Sequence, residues 1–78
     1  MGIKSIPLKK YRKFLKSIGL KKIRTVASHE LYDNPVKPLL RPVTVDNNYP
    51  DVPLLHIHTT LKTIGMSKEE FIQRLKGL

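Results

Sequence analysis

The stretch KKIRTVASHELYD, from Lys21 to Asp33, contains two short runs with the composition of β-strands. The first run, KKIRTVA, is rich in β-branched residues and partly alternates, and the second run is SHELYD. We expect a tight turn around Ala27 and Ser28 between the two runs. The stretch therefore predicts two antiparallel strands joined by a short connection.

A third run of the same kind, RPVTVDN, begins at Arg41. The connection before it, NPVKPLL, is longer, and Pro35 and Pro38 stiffen it because proline has no backbone N–H for a strand ladder. We expect Leu39 and Leu40 in this connection either to pack or to form a contact surface. Together the three runs predict an antiparallel meander.

Helical periodicity precedes the meander, between Pro7 and Ile18. At about 100° per residue, the apolar side chains fall on one arc and the basic ones fall opposite. Pro7 suits a first helical turn, Ser5 or Ile6 is the expected cap, and Gly19 favours a stop. The apolar arc consists of Leu8, Tyr11, Phe14, Leu15 and Ile18.

Two more helical segments follow the loop NNYPDVP. The first presents one apolar face and ends at Gly65; its apolar residues are Leu54, Ile57, Leu61 and Ile64. Ser67 then opens the second segment as its N-cap, and Glu70 completes a capping box. We therefore predict an α+β fold in the order α-β-β-β-α, with a three-stranded antiparallel sheet covered by helices. The last helical region is expected to be split in two.

The length and composition predict one domain over residues 1–78. The chain has no cysteine, which excludes disulfides and cysteine-based zinc sites and fits a reducing compartment. The first residues contain no long apolar run, so we expect neither a signal peptide nor a transmembrane helix. A cytoplasmic location is the expectation.

The positive charge is concentrated in one segment. Residues 1–24 hold nine of the fifteen basic residues and no acidic one, whereas the remaining residues carry six of each sign. A concentrated positive field attracts polyanions and speeds their arrival. The basic helical face could be a solvated surface, a phosphate-binding surface or a membrane-surface helix. Because its apolar arc is needed to cover the sheet of so small a domain, we favour phosphate binding over membrane binding.

His56 and His58 in the run HIH raise the question of a metal site. On a strand the two rings would share a face and could bind zinc, but helical periodicity places them roughly 160° apart. No third ligand is apparent, so we expect no metal and no cofactor.

Several short motifs, taken together, resemble the HicA family of toxin mRNA interferases. ASHELY, from Ala27 to Tyr32, is similar to the family's Gly-Ser-His-x-x-aromatic signature, in which the histidine begins the second strand. TTLKTIGMSKEEFIQRL resembles the family's C-terminal run, and RPVTV corresponds to its third strand. The element order is similar to that of the double-stranded-RNA-binding fold. The resemblance covers about Leu8 to Leu75, but Ala27 stands where the family usually has glycine, and the loop from Asn34 to Leu40 is longer.

The resemblance implies the toxin of a type II toxin–antitoxin pair, an endoribonuclease that cleaves messenger RNA without a metal and stops translation. It also implies a HicB-type antitoxin protein as partner. His29 would be the catalytic residue, since imidazole transfers protons near neutral pH and RNA carries its own nucleophile, the 2′-hydroxyl. The alternative for His29 is a partly exposed strand residue with a structural role.

We expect Ser28 to turn the chain or to orient the imidazole, and Tyr32, on the other face of the strand, to pack in the core. The expected RNA-binding residues are Lys9, Lys13, Lys16, Lys21, Lys22 and Arg24. The sequence does not name a second proton-transfer group. Two other functions stay open: a non-catalytic RNA- or DNA-binding module of the same fold, and a protein-interaction domain whose charge surplus is incidental.

Overall fold

A computed structural model describes residues 5–78, so the first four residues of the predicted domain, with Lys4, lie outside the described part. The elements are β1 (Ile6–Pro7), α1 (Leu8–Ser17), β2 (Lys21–Val26), β3 (His29–Asp33), β4 (Val43–Asp46), β5 (Asp51–Val52), α2 (Leu54–Ile64) and α3 (Lys68–Lys76). The described chain is a small α+β structure, which confirms the predicted fold class, and it contains three helices.

Strands β2, β3 and β4 form a three-stranded antiparallel sheet in that order, which confirms the predicted meander. Val26 pairs with His29 across the first turn, and His29 pairs with Asp46 on the other side. The β2–β3 register shifts between Lys22 and Arg24, where Ile23 is the extra residue of a bulge. β3 is thus the central strand.

Strand alternation gives the sheet one covered face and one open face. Glu30 and Tyr32 on β3 are buried, as are Val43 and Val45 on β4. The residues between them point the other way, and His29 and Thr44 among these are exposed. Buried residues of the helices pack with the covered face, whereas the open face carries His29.

The core joins the three helices to the covered face of the sheet. Phe14 of α1 packs edge-on against Phe71 of α3, with 4.8 Å between ring centroids. Tyr11 donates a buried hydrogen bond to Thr60 of α2 at 2.5 Å, and burial raises the pKa of Tyr11 to about 12. The core residues are Tyr11, Phe14, Leu15, Leu20, Tyr32, Val43, Val45, Val52, Ile57, Leu61 and Phe71. The apolar arc of α1 therefore covers the sheet, as its periodicity indicates.

The predicted stops and one predicted cap are confirmed. Gly19 follows α1 with φ +90°, and Gly65 follows α2 with φ +71°, both in the left-handed region that glycine tolerates. The Ser67 hydroxyl accepts a hydrogen bond from the Glu70 backbone N–H at 3.1 Å. Leu39 packs against the core, whereas Leu40 is fully exposed.

The start of α1 differs from the prediction. Pro7, and neither Ser5 nor Ile6, occupies the N-cap position. The reason is that Ile6 and Pro7 form β1, which pairs with β5 inside the predicted loop NNYPDVP. The Leu8 N–H donates to the Pro50 carbonyl at 2.9 Å, so a backbone group replaces the expected side-chain cap.

Ala27 in the turn before His29 has φ +54°, the region that favours glycine. In a type II′ hairpin turn the first central residue has a positive φ, and glycine is the usual residue there for this reason. Replacing Ala27 with glycine should raise the free energy of unfolding by about 0.5–1 kcal/mol, because relief of left-handed strain exceeds the added unfolded-state entropy. Urea denaturation of both proteins measures this, and a less stable glycine variant would contradict it.

Candidate active site

His29 begins β3 on the open face of the sheet, with its side chain 51% exposed. Its Nε2 atom lies 3.4 Å from Oδ2 of Asp46, the residue paired with it on β4. Nε2 is thus the ring nitrogen beside the carboxylate, and the contact becomes an ion pair only when the imidazole is protonated. The geometry is that of an accessible imidazole with one ring edge turned toward an acid.

Asp46 is itself held in place by the turn that follows β4. The Asn48 backbone N–H donates to Asp46 Oδ1 at 2.9 Å. That bond is the largest influence on the pKa of Asp46, and with the nearby His29 it holds this pKa below the ordinary value. The Asn48 side-chain amide donates to the Ser28 hydroxyl at 3.0 Å. A side-chain hydrogen bond from Ser28 is also among the influences that lower the pKa of Asp46, so Ser28 acts on the site through Asp46 as well as Asn48.

A groove of about 350 Å³ opens beside this pair, between β4 and α2. Its lining combines polar side chains of both elements with the loop before β4: His29, Arg41, Pro42, Val43, Thr44, Asp46, His56, Thr59, Thr60 and Thr63. His56 lies inside this groove, whereas His58 is exposed elsewhere on α2. The helix thus separates the two rings of HIH.

The predicted RNA-binding residues divide between the two sides of the molecule. Lys9, Lys13 and Lys16 are exposed on α1, opposite the arc that packs on the sheet. Because the bulge at Ile23 reverses the alternation, Arg24 shares the open face with His29, and so does Lys21.

Lys22 points to the covered side instead, where its Nζ lies 4.0 Å from Glu30. Arg24 is diagonal to His29 across the β2–β3 pair, a position that places residues about 7–8 Å apart. The structure therefore brings Arg24 and Lys21, but not the α1 lysines, to the face of His29.

Glu30 organises a polar cluster on the covered side of β3. Arg12 donates to both carboxylate oxygens of Glu30, at 3.1 and 3.2 Å, and the amide of Asn47 and the hydroxyl of Tyr32 also donate to it. Arg12 also donates to Asn47. Burial acts to raise the pKa of Glu30, but the hydrogen bonds from Arg12, Asn47 and Tyr32 outweigh it and hold this pKa below the ordinary value. The cluster fastens α1 and the turn after β4 to the central strand.

Replacing Glu30 with glutamine should lower the free energy of unfolding by about 1.5–3 kcal/mol at pH 7, because charged hydrogen bonds to a nearly buried group are lost. The pKa of Glu30 is lower in the folded protein, so its contribution is complete above the ordinary value of 4.5 and disappears as pH falls further. Urea denaturation at pH 7 and pH 3 should show the difference from wild type shrinking in acid.

A matched control is Glu70→Gln, which removes an exposed carboxylate bonded to Arg74 at 3.0 Å. We expect that change to cost only about 0.3–0.5 kcal/mol. Equal costs for the two variants would contradict the role assigned to the Glu30 cluster.

Within residues 5–78, no group of three or more His, Cys, Asp or Glu side chains is placed to hold a metal ion. Over the same residues, none of the helices combines the length and apolar character required to cross a bilayer. Comparison of the chain with protein-family models, curated proteins and solved structures finds no match.

Three residues that line the groove with His29 were not expected beside it: Asp46 and Arg41, and His56, which the sequence raised only as a possible metal ligand. Asp46 could have been placed on the open face from the alternation of VTVD, but its position opposite His29 depends on register across a long loop. Arg41 and His56 reach the site through the packing of a loop and of α2, for which the sequence carries no local signal.

Proposed function

We propose that this chain is a toxin of a type II toxin–antitoxin pair, a HicA-like endoribonuclease that cleaves messenger RNA without a metal and arrests growth from the cytoplasm. His29 removes the proton of the ribose 2′-hydroxyl, which then attacks the adjacent phosphate. The products carry a 2′,3′-cyclic phosphate and a 5′-hydroxyl. The motif around ASHELY and the setting of His29 both support this proposal.

The observation that carries the proposal is the exposed His29 ring beside Asp46, 3.4 Å away. A general base must be reachable by substrate and held in one orientation, and a neighbouring carboxylate is a common way to orient it. Arg24 on the same face and Arg41 in the adjoining groove supply positive charge for the phosphate.

We infer that the fold is of the double-stranded-RNA-binding type. A basic helix, an antiparallel meander and a C-terminal helical region in this order support the assignment, with α2 and α3 as a split form of the last helix. The β1–β5 pair is an addition to that arrangement.

One observation favours a rival function, a non-catalytic RNA- or DNA-binding module. The lysines of α1 form an exposed surface on the side of the molecule away from His29. A duplex held there through its phosphates would not bring a linkage to the imidazole. Phosphate binding by either function should weaken steeply with salt, whereas a protein-interaction domain would bind RNA weakly with little salt dependence.

The partner implied by the proposal is a HicB-type antitoxin protein with an acidic surface. The net charge of +9 and the exposed cations of the described residues make such a surface complementary. The antitoxin would cover His29 or the basic face, and in either place it would exclude RNA.

Expression of wild type and His29→Ala in bacterial cells tests the proposal. Wild type should degrade messenger RNA and arrest growth, and the variant should do neither while the purified variant retains nucleic-acid binding. Growth arrest by both proteins, with intact messenger RNA, would favour the binding module. Equal RNA degradation by the variant would remove the catalytic assignment.

A further inference from the structure

Helix α2 turns a polar stripe toward β4. His56, Thr59, Thr60 and Thr63 follow a spacing of three or four residues and so lie within about 100° of arc. All four line the groove that contains His29. Ile57 and Leu61 hold the adjacent arc of α2 in the core, which fixes the direction of the stripe.

The groove continues away from the two histidines. An adjoining cavity of about 510 Å³ shares Arg41, Thr59 and Thr63 with it and extends to Lys62. Within residues 5–78, neither Arg41 nor Lys62 takes part in an ion pair. Cations without an acidic partner along a polar groove can bind the phosphates of a single-stranded nucleic acid.

Cleavage of RNA by its own 2′-hydroxyl needs a second proton transfer, to the departing 5′-oxygen. Of the groups that line the groove, Arg41 holds its protons too firmly, the threonine hydroxyls are weak acids, and Asp46 is an acceptor. An imidazolium is the remaining donor suited to neutral pH. His56 is therefore the group whose chemistry fits this requirement.

We propose that the groove between β4 and α2 binds a phosphodiester of single-stranded RNA, with His56 as the proton donor to the 5′-oxygen and Arg41 on the phosphate. This inference rests on the proposed function and deepens it. The 2′-oxygen bonds to phosphorus and gives its proton to His29, while the bond from phosphorus to the 5′-oxygen breaks. That oxygen takes the proton of His56.

The surroundings of His56 keep its ring beside the groove. The ring of Tyr49 packs edge-on against it, with centroids 5.5 Å apart. A second, narrow gap lined by His56 is also lined by Asp46 and Thr44 of β4 and by Tyr11 of α1. The charged or titratable groups that face His56 are thus Asp46, His29, Arg41, Tyr49 and Tyr11.

A substrate with sulfur in place of the bridging 5′-oxygen separates proton donation from other roles, because a thiolate leaves without protonation. The variants are His56→Gln, His29→Ala and the matched control His58→Gln, whose ring lies outside the groove. On the ordinary linkage, His56→Gln should cleave about 10²–10⁴-fold more slowly than wild type. On the sulfur linkage it should regain nearly the wild-type rate, while His29→Ala stays slow on both and His58→Gln is unchanged on both.

If His56→Gln cleaves at the wild-type rate, or is equally slow on both linkages, the role of His56 is overturned. If His29→Ala is slow in the same experiment, the proposed function still stands. If wild type cleaves neither linkage, both the role of His56 and the proposed function are overturned.

A binding measurement on the wild-type protein tests the role of His56 without a variant that could misfold. A 2′-O-methyl dinucleotide should shift the NMR signals of the His29 and His56 rings and leave that of His58 in place. An unmoved His56 signal would also overturn the proposal.

Discussion

Purified His29→Ala is expected to cleave RNA at least about 10²–10⁴-fold more slowly than wild type, the usual contribution of a positioned proton-transfer group. The imidazole is exposed at the start of β3, and Asp46 lies against one of its nitrogens. Alanine removes the only group proposed to activate the 2′-hydroxyl. Initial rates on a fluorescent single-stranded RNA, at saturating protein, measure the effect on the chemical step.

The same variant should bind RNA with nearly the wild-type dissociation constant, because the cations proposed to hold the phosphates, Arg24 and Arg41, are unchanged. Fluorescence anisotropy with a 2′-O-methyl RNA measures binding without cleavage. His58→Ala is the matched control, and it should retain both rate and affinity. A His29→Ala rate within a few-fold of wild type would contradict the role of this residue.

Replacing Phe14 with alanine should lower the free energy of unfolding by about 3–5 kcal/mol. The ring is fully buried, and it packs edge-on against Phe71, so that it joins α1 to α3. Domains are stable by only about 5–15 kcal/mol, and one of 78 residues has a thin core. We therefore expect the variant to be largely unfolded at 37 °C, as measured by thermal denaturation followed by circular dichroism.

Phe71→Ala and the double variant show whether the two rings act together. If they share one contact, the cost of the double change should be smaller than the sum of the single costs. Leu55→Ala is a control on the exposed side of α2 and should change stability by less than about 0.5 kcal/mol. A Phe14→Ala protein as stable as that control would contradict the described core.

Features with a local physical cause were predictable from the sequence. The apolar arc of α1, the stops at Gly19 and Gly65 and the cap at Ser67 each depend on residues within one or two turns. The β1–β5 pair was not predictable, because each strand has two residues and their pairing joins distant parts of the chain. Pro7 in β1 also lacks the N–H that a strand pattern would need.

The site was predictable only as a single residue, His29. Its partner Asp46 depends on how β4 pairs with β3 across the long loop between them, and composition does not determine that register. The concentration of positive charge in residues 1–24 was evident from the sequence. The division of these cations between α1 and the two faces of the sheet was not. The bulge at Ile23 places Lys22 and Arg24 on opposite faces, although strict alternation would have kept them together.

The most direct test of cleavage by the RNA's own 2′-hydroxyl is the chemistry of the product ends. Wild-type protein is incubated with a defined single-stranded RNA in the presence of a chelator, and the fragments are analysed by mass spectrometry. We predict 2′,3′-cyclic phosphate ends paired with 5′-hydroxyl ends, formed by wild type and not by His29→Ala. Fragments with 3′-hydroxyl and 5′-phosphate ends, or RNA that stays intact with wild type, would contradict the proposed function.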